Sequence, residues 1–341
     1  MIELDGTTLR FAFPEVHADA VLEVSLQRTL RVPEDGTEYE MPSSIGTCRF
    51  VHIDDHNARV PRSWLQRGGV MTPLYSGETV RLGFYSPTVD GYTTNWRFLV
   101  LVGTGKINAL TGATLQPLPD FGVQDYLVAP DQHELYGFCD ADGLVRQFTA
   151  TPQGIGASVE EQLTGEQTYG GMQLAVFPMT REAFTTFFEE KRIENLDYRD
   201  RDIRFSLCAP PVHSFNLGIG VGGLIRQFAR EDRYGRDAWA VQVKSRCFVH
   251  LANASIWRQL TGLNPHPRPS LSPSCEPAPQ DVGRRGSPGS SWFGRLKSLF
   301  HFGGNKLDGV RQVRAAAEPS PPASDAGAST QQQDFASDKR E

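Results

Sequence analysis

The chain has 341 residues, 39 % hydrophobic and 22 % charged, with a formal net charge of −6, a globular composition long enough for one large domain or two ordinary ones. Residues 263–341 carry 10 Lys plus Arg and 8 Asp plus Glu, net +2, which leaves 24 and 32, net −8, for residues 1–262. An acidic body lacks the clustered Lys and Arg that phosphate neutralisation needs, which argues against nucleic-acid binding.

No run of about 18 apolar residues occurs, and MIELDGTTLRFAF has acids where a leader needs basic residues, so the cytoplasm is the expected compartment. The five cysteines are odd in number and lack a C-x-x-C pair. They read as reduced thiols rather than a disulfide framework or a zinc site. Apolar residues thin out after Leu263, where Pro, Ser, Gly, Ala and Gln take over. The expected organisation is an N-terminal extension over 1–20, a globular β-rich domain over 21–263, and a disordered tail over 264–341 whose removal leaves the melting transition unchanged.

In chain order, Val21 to Val32 alternates apolar and polar residues with the period of a half-buried strand, and Pro33-Glu34-Asp35-Gly36 closes it with turn chemistry. A second strand is expected over Thr47 to Ile53, after an irregular crossing from Tyr39 to Gly46. Arg59 to Gly69 reads as a short helix opened by Pro61 and stopped by a Gly pair. Strands follow at Val80 to Tyr85 and Trp96 to Val102, the latter apolar enough to be covered on both faces. Leu144 to Phe148 and Met172 to Phe177 are two more, bounded by Gly-rich turns.

Thr180 to Asn195 is the one long helix candidate, with Phe184, Phe187 and Phe188 on one face and Thr180 as cap. Gly143-Leu144-Val145-Arg146-Gln147-Phe148 is echoed by Gly223-Leu224-Ile225-Arg226-Gln227-Phe228, and Leu-Thr-Gly ends three segments, at Gly112, Gly165 and Gly262. The first motif lies 20 residues from its Leu-Thr-Gly and the second 37, so the echoes are a reused strand-turn element and not a solenoid period.

Four groups of residues look chemical. Gly103-Thr104-Gly105-Lys106 follows an apolar strand, but a phosphate cradle needs an earlier Gly and a hydroxyl after the Lys; a Gly-rich turn is the expectation. Gly218-Ile219-Gly220-Val221-Gly222-Gly223 matches a dinucleotide fingerprint by letter, yet Pro210 and Pro211 precede it and no helix is expected after it; it reads as a loop feeding a strand. His52, Asp54 and His56 would share one face of a strand and are weak metal candidates; no metal is expected. A thiol site could pair Cys139, Cys208 or Cys247 with His133, His213 or His250, although buried structural cysteines are the commoner case.

Arg146, Gln147, Arg226 and Gln227 are the anion-binding candidates, because Arg within an apolar strand must reach a carboxylate, an anion or solvent. In the tail, Trp292, Phe293, Leu296, Leu299 and Phe300 fall on one helical face of segment 291–302. Seven basic residues and one acid surround it between Gly283 and Arg314. An isolated helix of this length is marginal in water, so it is expected to form on a surface, with a protein partner favoured and a membrane surface as the other candidate.

The stretches GLVRQF…EEQLTG…GGMQLAVFPM, GVGGLIRQFAREDRYGRDAWA and SRCFVHLANASIWRQLTG, with SLQRTLRVPEDG, RVPRSWLQRGGV and GKINALTG, resemble a family of uncharacterised microbial proteins. The resemblance covers Leu22 to Gly262 and implies one unit there, with no established activity, cofactor or site residue.

The expected fold is α+β and β-rich, a sandwich-like antiparallel body with one or two packed helices and a disordered C-terminal tail. The expected function is a non-enzymatic binding or scaffold protein without cofactors, the tail helix acting as the docking element. The alternative is a hydrolase or transferase that holds an anionic small molecule in an Arg/Gln and Gly-rich pocket.

Overall fold

The computed structural model describes residues 1–139, 144–188 and 216–268. Seventeen strands and four short α-helices are present among them. The first half holds β1 (Ile2–Asp5), β2 (Thr8–Ala12), β3 (Val21–Thr29), β4 (Glu38–Tyr39), β5 (Ser44–Thr47), β6 (Val51–His52), α1 (Arg62–Arg67), β7 (Val70–Leu74), β8 (Thr79–Tyr85), β9 (Phe98–Thr104) and β10 (Ile107–Asn108). The second half holds β11 (Leu127–Ala129), β12 (Glu134–Leu135), β13 (Gly137–Cys139), β14 (Val145–Pro152), α2 (Val159–Thr164), β15 (Met172–Pro178), α3 (Arg181–Phe188), β16 (Asn216–Ile225), β17 (Ser245–Asn253) and α4 (Trp257–Thr261).

The fold is β-rich α+β. Antiparallel pairing runs unbroken through β1, β2, β3, β8, β14, β16, β17, β15, β9 and β11. Two pairs are parallel, β16 with β4 and β17 with β7. After β11 the chain leaves β9 and supplies β12 to β8, so the path curls back toward its own middle. Every residue of β9 is buried, the outcome expected for a strand covered on both faces. Helices α1 and α4 pack outside this sheet, where Trp64, Trp257 and Leu260 join Ile53, Val60, Met71 and Ala252 in one apolar cluster.

Both motif echoes have a physical cause. In the antiparallel pair β14–β16, Val145 lies directly opposite Ile225 and Arg146 opposite Leu224, so the two Gly-Leu-x-Arg-Gln-Phe copies are related by a local two-fold axis through the Val145–Ile225 pair. Gln147, fully buried, accepts from Val32 N (2.8 Å) and donates to Leu30 O (2.8 Å). Gln227 accepts from Tyr136 N (3.1 Å) and donates to Glu134 O (3.0 Å). Each carboxamide thus stands in for a strand residue, gripping residues n and n−2 of a neighbouring segment.

The three Leu-Thr-Gly endings are one cap used three times. Gly112, Gly165 and Gly262 have φ of +69°, +73° and +76° and donate to the carbonyls of Asn108, Glu161 and Arg258 four residues back. Thr111, Thr164 and Thr261 accept at Oγ1 from the amide two residues on. This satisfies backbone groups that a helical turn leaves orphaned.

Several expectations need correction. Residues 2–12 are no loose extension: they form a hairpin paired to β3, with Leu9 and Phe11 fully buried. The crossing from Tyr39 to Gly46 takes in the end of β4 and all of β5 but Thr47, and the strand expected over Thr47 to Ile53 is interrupted between β5 and β6. The glycine run expected as a loop is inside β16. A Cβ on Gly218 would come within 2.8 Å of Ser158 Cβ, and one on Gly220 within 2.9 Å of Ala157 O. The turn before α2 lies directly on the strand, and only glycine leaves room for it. Helix α3 is described as far as Phe188; Lys191, Arg192 and the rest of the expected helix lie outside the described residues.

The docked chain also continues past the expected boundary at Leu263. His266 Nε2 donates to both oxygens of the buried Glu78 carboxylate (3.1 and 3.0 Å), since a carboxylate only accepts. Arg28 donates to Glu78 (3.4 Å) and to Pro267 O (3.4 Å), Tyr75 Oη donates to His266 O (3.3 Å), and Arg268 lies over the Tyr75 ring (5.2 Å). Residues 266–268 therefore close a buried charged site. A chain ending at Leu263 should be less stable than one ending at Arg268 by about 1–3 kcal/mol, because Glu78 loses a charged-group hydrogen bond and its cover. Urea unfolding of the two truncations checks this; equal midpoints would show that the contact is not holding the segment.

Candidate binding site

Three segments that extend from strand ends meet to form an aromatic cleft. The first is the turn from Phe13 to Ala20, where His17 N and Val16 N both donate to Phe13 O. The second is the connection from β8 to β9, folded on itself by the Thr88–Asn95 bridge and by Asn95 Nδ2 donating to Ser86 O (2.5 Å). The third is the first turn of α3, where Thr180 Oγ1 accepts from Ala183 N (3.1 Å) as the sequence predicts for a cap.

Their rings form a continuous pile. His17 stacks on Trp96 (centroids 4.9 Å, planes 18° apart), Trp96 stacks on Phe184 (4.2 Å, 4°), and Tyr92 meets the edge of Phe184 (5.3 Å, 73°). Trp96 is 1 % exposed and donates from Nε1 to Met179 O (3.0 Å), so it is a fixed wall. The cleft has a volume of about 200 Å³ and is lined by His17, Tyr92, Trp96, Arg181, Phe184 and Thr185.

Two polar groups at this cleft point their hydrogen-bonding capacity outward. His17 Nδ1 accepts from Asp19 N (3.1 Å), which leaves the proton on Nε2. Arg181 Nε donates to Val16 O (3.3 Å), and among the described residues no carboxylate pairs with its guanidinium. Asp19 Oδ2 lies 3.8 Å from His17 Nδ1 and also accepts from Asp90 N (3.1 Å).

The strongly perturbed ionisable groups, the Cys48 and Cys247 thiols, His250 and the buried Tyr126 and Tyr136 phenols, lie elsewhere and face inward. Burial pushes the Cys48 and Cys247 thiols up to about 12, which removes the thiolate a nucleophile needs. His250, fully buried between the Trp64 and Phe248 rings (4.6 and 4.3 Å), holds Gly68 O at 3.0 Å, and burial lowers its pKa to about 4. Glu160 is buried and takes the N–H groups of Thr168, Tyr169 and Gly170 at 2.9, 2.7 and 2.6 Å; burial raises its pKa despite them. None of these lines the cleft.

The described residues among those singled out from the sequence lie apart from this cleft. Gln147 and Gln227 are committed to backbone, as described above, and Arg226 faces Glu38 (3.5 Å) and Glu40 (3.9 Å). Two carboxylates there oppose an anion. Arg146, half-buried, lies diagonally across the local axis from Arg226. Gly105 and Lys106 are a two-residue hairpin turn between Thr104 and Ile107, both with positive φ (+55° and +62°), and the Lys106 amide is taken by Gln173; no phosphate cradle forms.

His52 ends β6 while Asp54 to His56 form a 3-10 turn, so the shared strand face that would gather three ligands does not exist. No cluster of three His, Cys, Asp or Glu ligands converges among the described residues. Cys247 and His250 are three apart on β17, on opposite faces. Cys139 is buried while His133 is exposed; Cys208, His213 and the tail residues Trp292, Phe293, Leu296, Leu299 and Phe300 lie outside the described residues.

No family model, curated protein or solved structure matches the chain. The site therefore rests on its geometry. Sequence reasoning placed Phe184 on α3 but missed His17, Tyr92, Arg181 and Thr185 as a group, and read Trp96 only as the start of a strand.

His250 makes a pH signature calculable. Its folded pKa lies below the ordinary value of 6.5, so the unfolded chain binds more protons between the two, and stability is fully present above about 6.5 and is lost as pH falls toward about 4. The loss is on the order of 3 kcal/mol. Denaturant unfolding from pH 7 to pH 4 should show a shallower acid slope for His250→Phe, which keeps the ring stack; matching slopes would mean that His250 is not buried neutral.

Proposed function

We propose that this is a cytoplasmic, non-enzymatic binding protein. Its body recognises a small chemical group in the His17–Trp96–Phe184 cleft, and its C-terminal segment docks on a protein partner. One observation carries the reading: the strongly shifted ionisable groups, Cys48, Cys247, His250, Tyr126 and Tyr136, are buried away from the cleft, while the cleft presents rigid rings and donors but no shifted acid, base or thiol. Catalytic sites tune titratable groups beside the open space where substrate sits; here the two are separated.

A hydrolase or transferase acting through Arg146, Arg226 and the glycine run loses its support on the same grounds. Gln147 and Gln227 are structural, Glu38 and Glu40 face Arg226, and the glycines are covered by the turn before α2. No helix among the described residues is long and apolar enough to cross a membrane. The docking role of Trp292, Phe293, Leu296, Leu299 and Phe300 rests on their helical spacing and the basic residues around them. The body's net charge of −8 is of the sign that repels anionic lipid, which favours a protein over a bilayer as the partner.

The test is affinity capture with the full chain and with a Trp292→Ala, Leu296→Ala variant of unchanged circular dichroism. A partner held by the first and depleted about tenfold or more from the second is the expected result. Identical captured sets would remove the tail from the account.

A further inference from the structure

We propose that the cleft takes a one-ring planar anion, an aryl carboxylate being the simplest member of the class. This rests on the binding reading above and narrows it to a chemistry. Size decides first. Pockets for drug-sized ligands begin near about 300 Å³, and an enclosed cavity of about 150 Å³ holds benzene, so about 200 Å³ suits one ring with one small substituent and is too small for a nucleotide.

Shape decides second. The rings of the His17, Trp96 and Phe184 pile are nearly parallel at its centre (4° between Trp96 and Phe184), and Tyr92 caps it at the edge. A flat ligand continues such a pile by offset or edge contact, whereas an aliphatic one leaves the ring quadrupoles unmatched.

Charge decides third. The donors that open onto the cleft are the Arg181 guanidinium, fixed through Nε to Val16 O and met by no carboxylate among the described residues, and His17 Nε2–H, on a ring whose Nδ1 accepts from Asp19 N with the Asp19 carboxylate 3.8 Å away. Arg181 begins α3, so the partial positive charge of the helix start has the same sign. Asp19 Oδ2 accepts from Asp90 N and lies beside His17 Nδ1, on the side of the ring away from Nε2–H. A guanidinium whose Nη groups make no hydrogen bond among the described residues is matched by a carboxylate's two oxygens, and a cationic ligand would face Arg181 unfavourably.

The full chain, labelled with nitrogen-15, is titrated with benzoate, benzamide, benzylamine and acetate, and amide shifts are followed by NMR. Benzoate should move the Tyr92, Arg181 and Thr185 signals and bind at least about tenfold more tightly than the other three probes. Arg181→Gln should weaken benzoate about tenfold. Equal affinity for benzoate and benzamide, or an unchanged benzoate affinity in Arg181→Gln, would overturn the anionic class while leaving the cleft as a binding site. Absence of shifts at the cleft with every one-ring probe would overturn both.

Discussion

The carboxamide of Gln147 is the bond that the rest of the molecule depends on. It is fully buried, and both ends are spent on one neighbouring segment, Val32 N and Leu30 O. A buried amide left without partners is strongly unfavourable, as are the backbone groups it would abandon, so β14 and the exit of β3 are held in one register. Gln227 repeats the grip on Glu134 and Tyr136 across the local axis at Val145 and Ile225. The most distinctive motif in the sequence is thereby accounted for as architecture, and its arginines come with it: their positions follow from the axis.

That assignment changes where function is sought. Once the Gly-Leu-x-Arg-Gln-Phe copies, the β16 glycines and the Gly105–Lys106 turn are structural, what remains open is a place where no motif lies. The cleft is built from residues near positions 17, 92–96 and 181–185, each on a turn or helix start that the sheet fixes in place. Its walls are held by bonds outside it, Trp96 to Met179 O above all. Separation of the shifted groups from this open space is what distinguishes a recognition surface from a reaction centre.

The legible parts of the fold were those with local periodicity. Val21 to Thr29 alternates and is a strand; Phe98 to Val102 is apolar throughout and is buried on both faces. The illegible parts were set by contacts distant in sequence. β16 reads as loop because its glycines answer to Ser158 and Ala157, not to their own conformation. β7 was hidden by Pro73, which the strand accommodates because β6 pairs only with Val70 and Met71 and stops short of it. α2 carried its Ser158–Glu161 capping box in plain sequence, but six residues among glycines gave no period to notice. The cleft had no local signature, since three turns must first be brought together.

The motif glutamines are clamps and not ligand-binding groups, and equilibrium unfolding of Gln147→Met, which keeps the side-chain length and removes the carboxamide's hydrogen bonds, tests this most directly. A loss of about 2–4 kcal/mol, with faster hydrogen exchange at the Val32 amide, is the expected result. Stability within about 0.5 kcal/mol of the parent, with exchange at Val32 unchanged, would contradict the account and return Gln147 to the list of candidate ligand contacts.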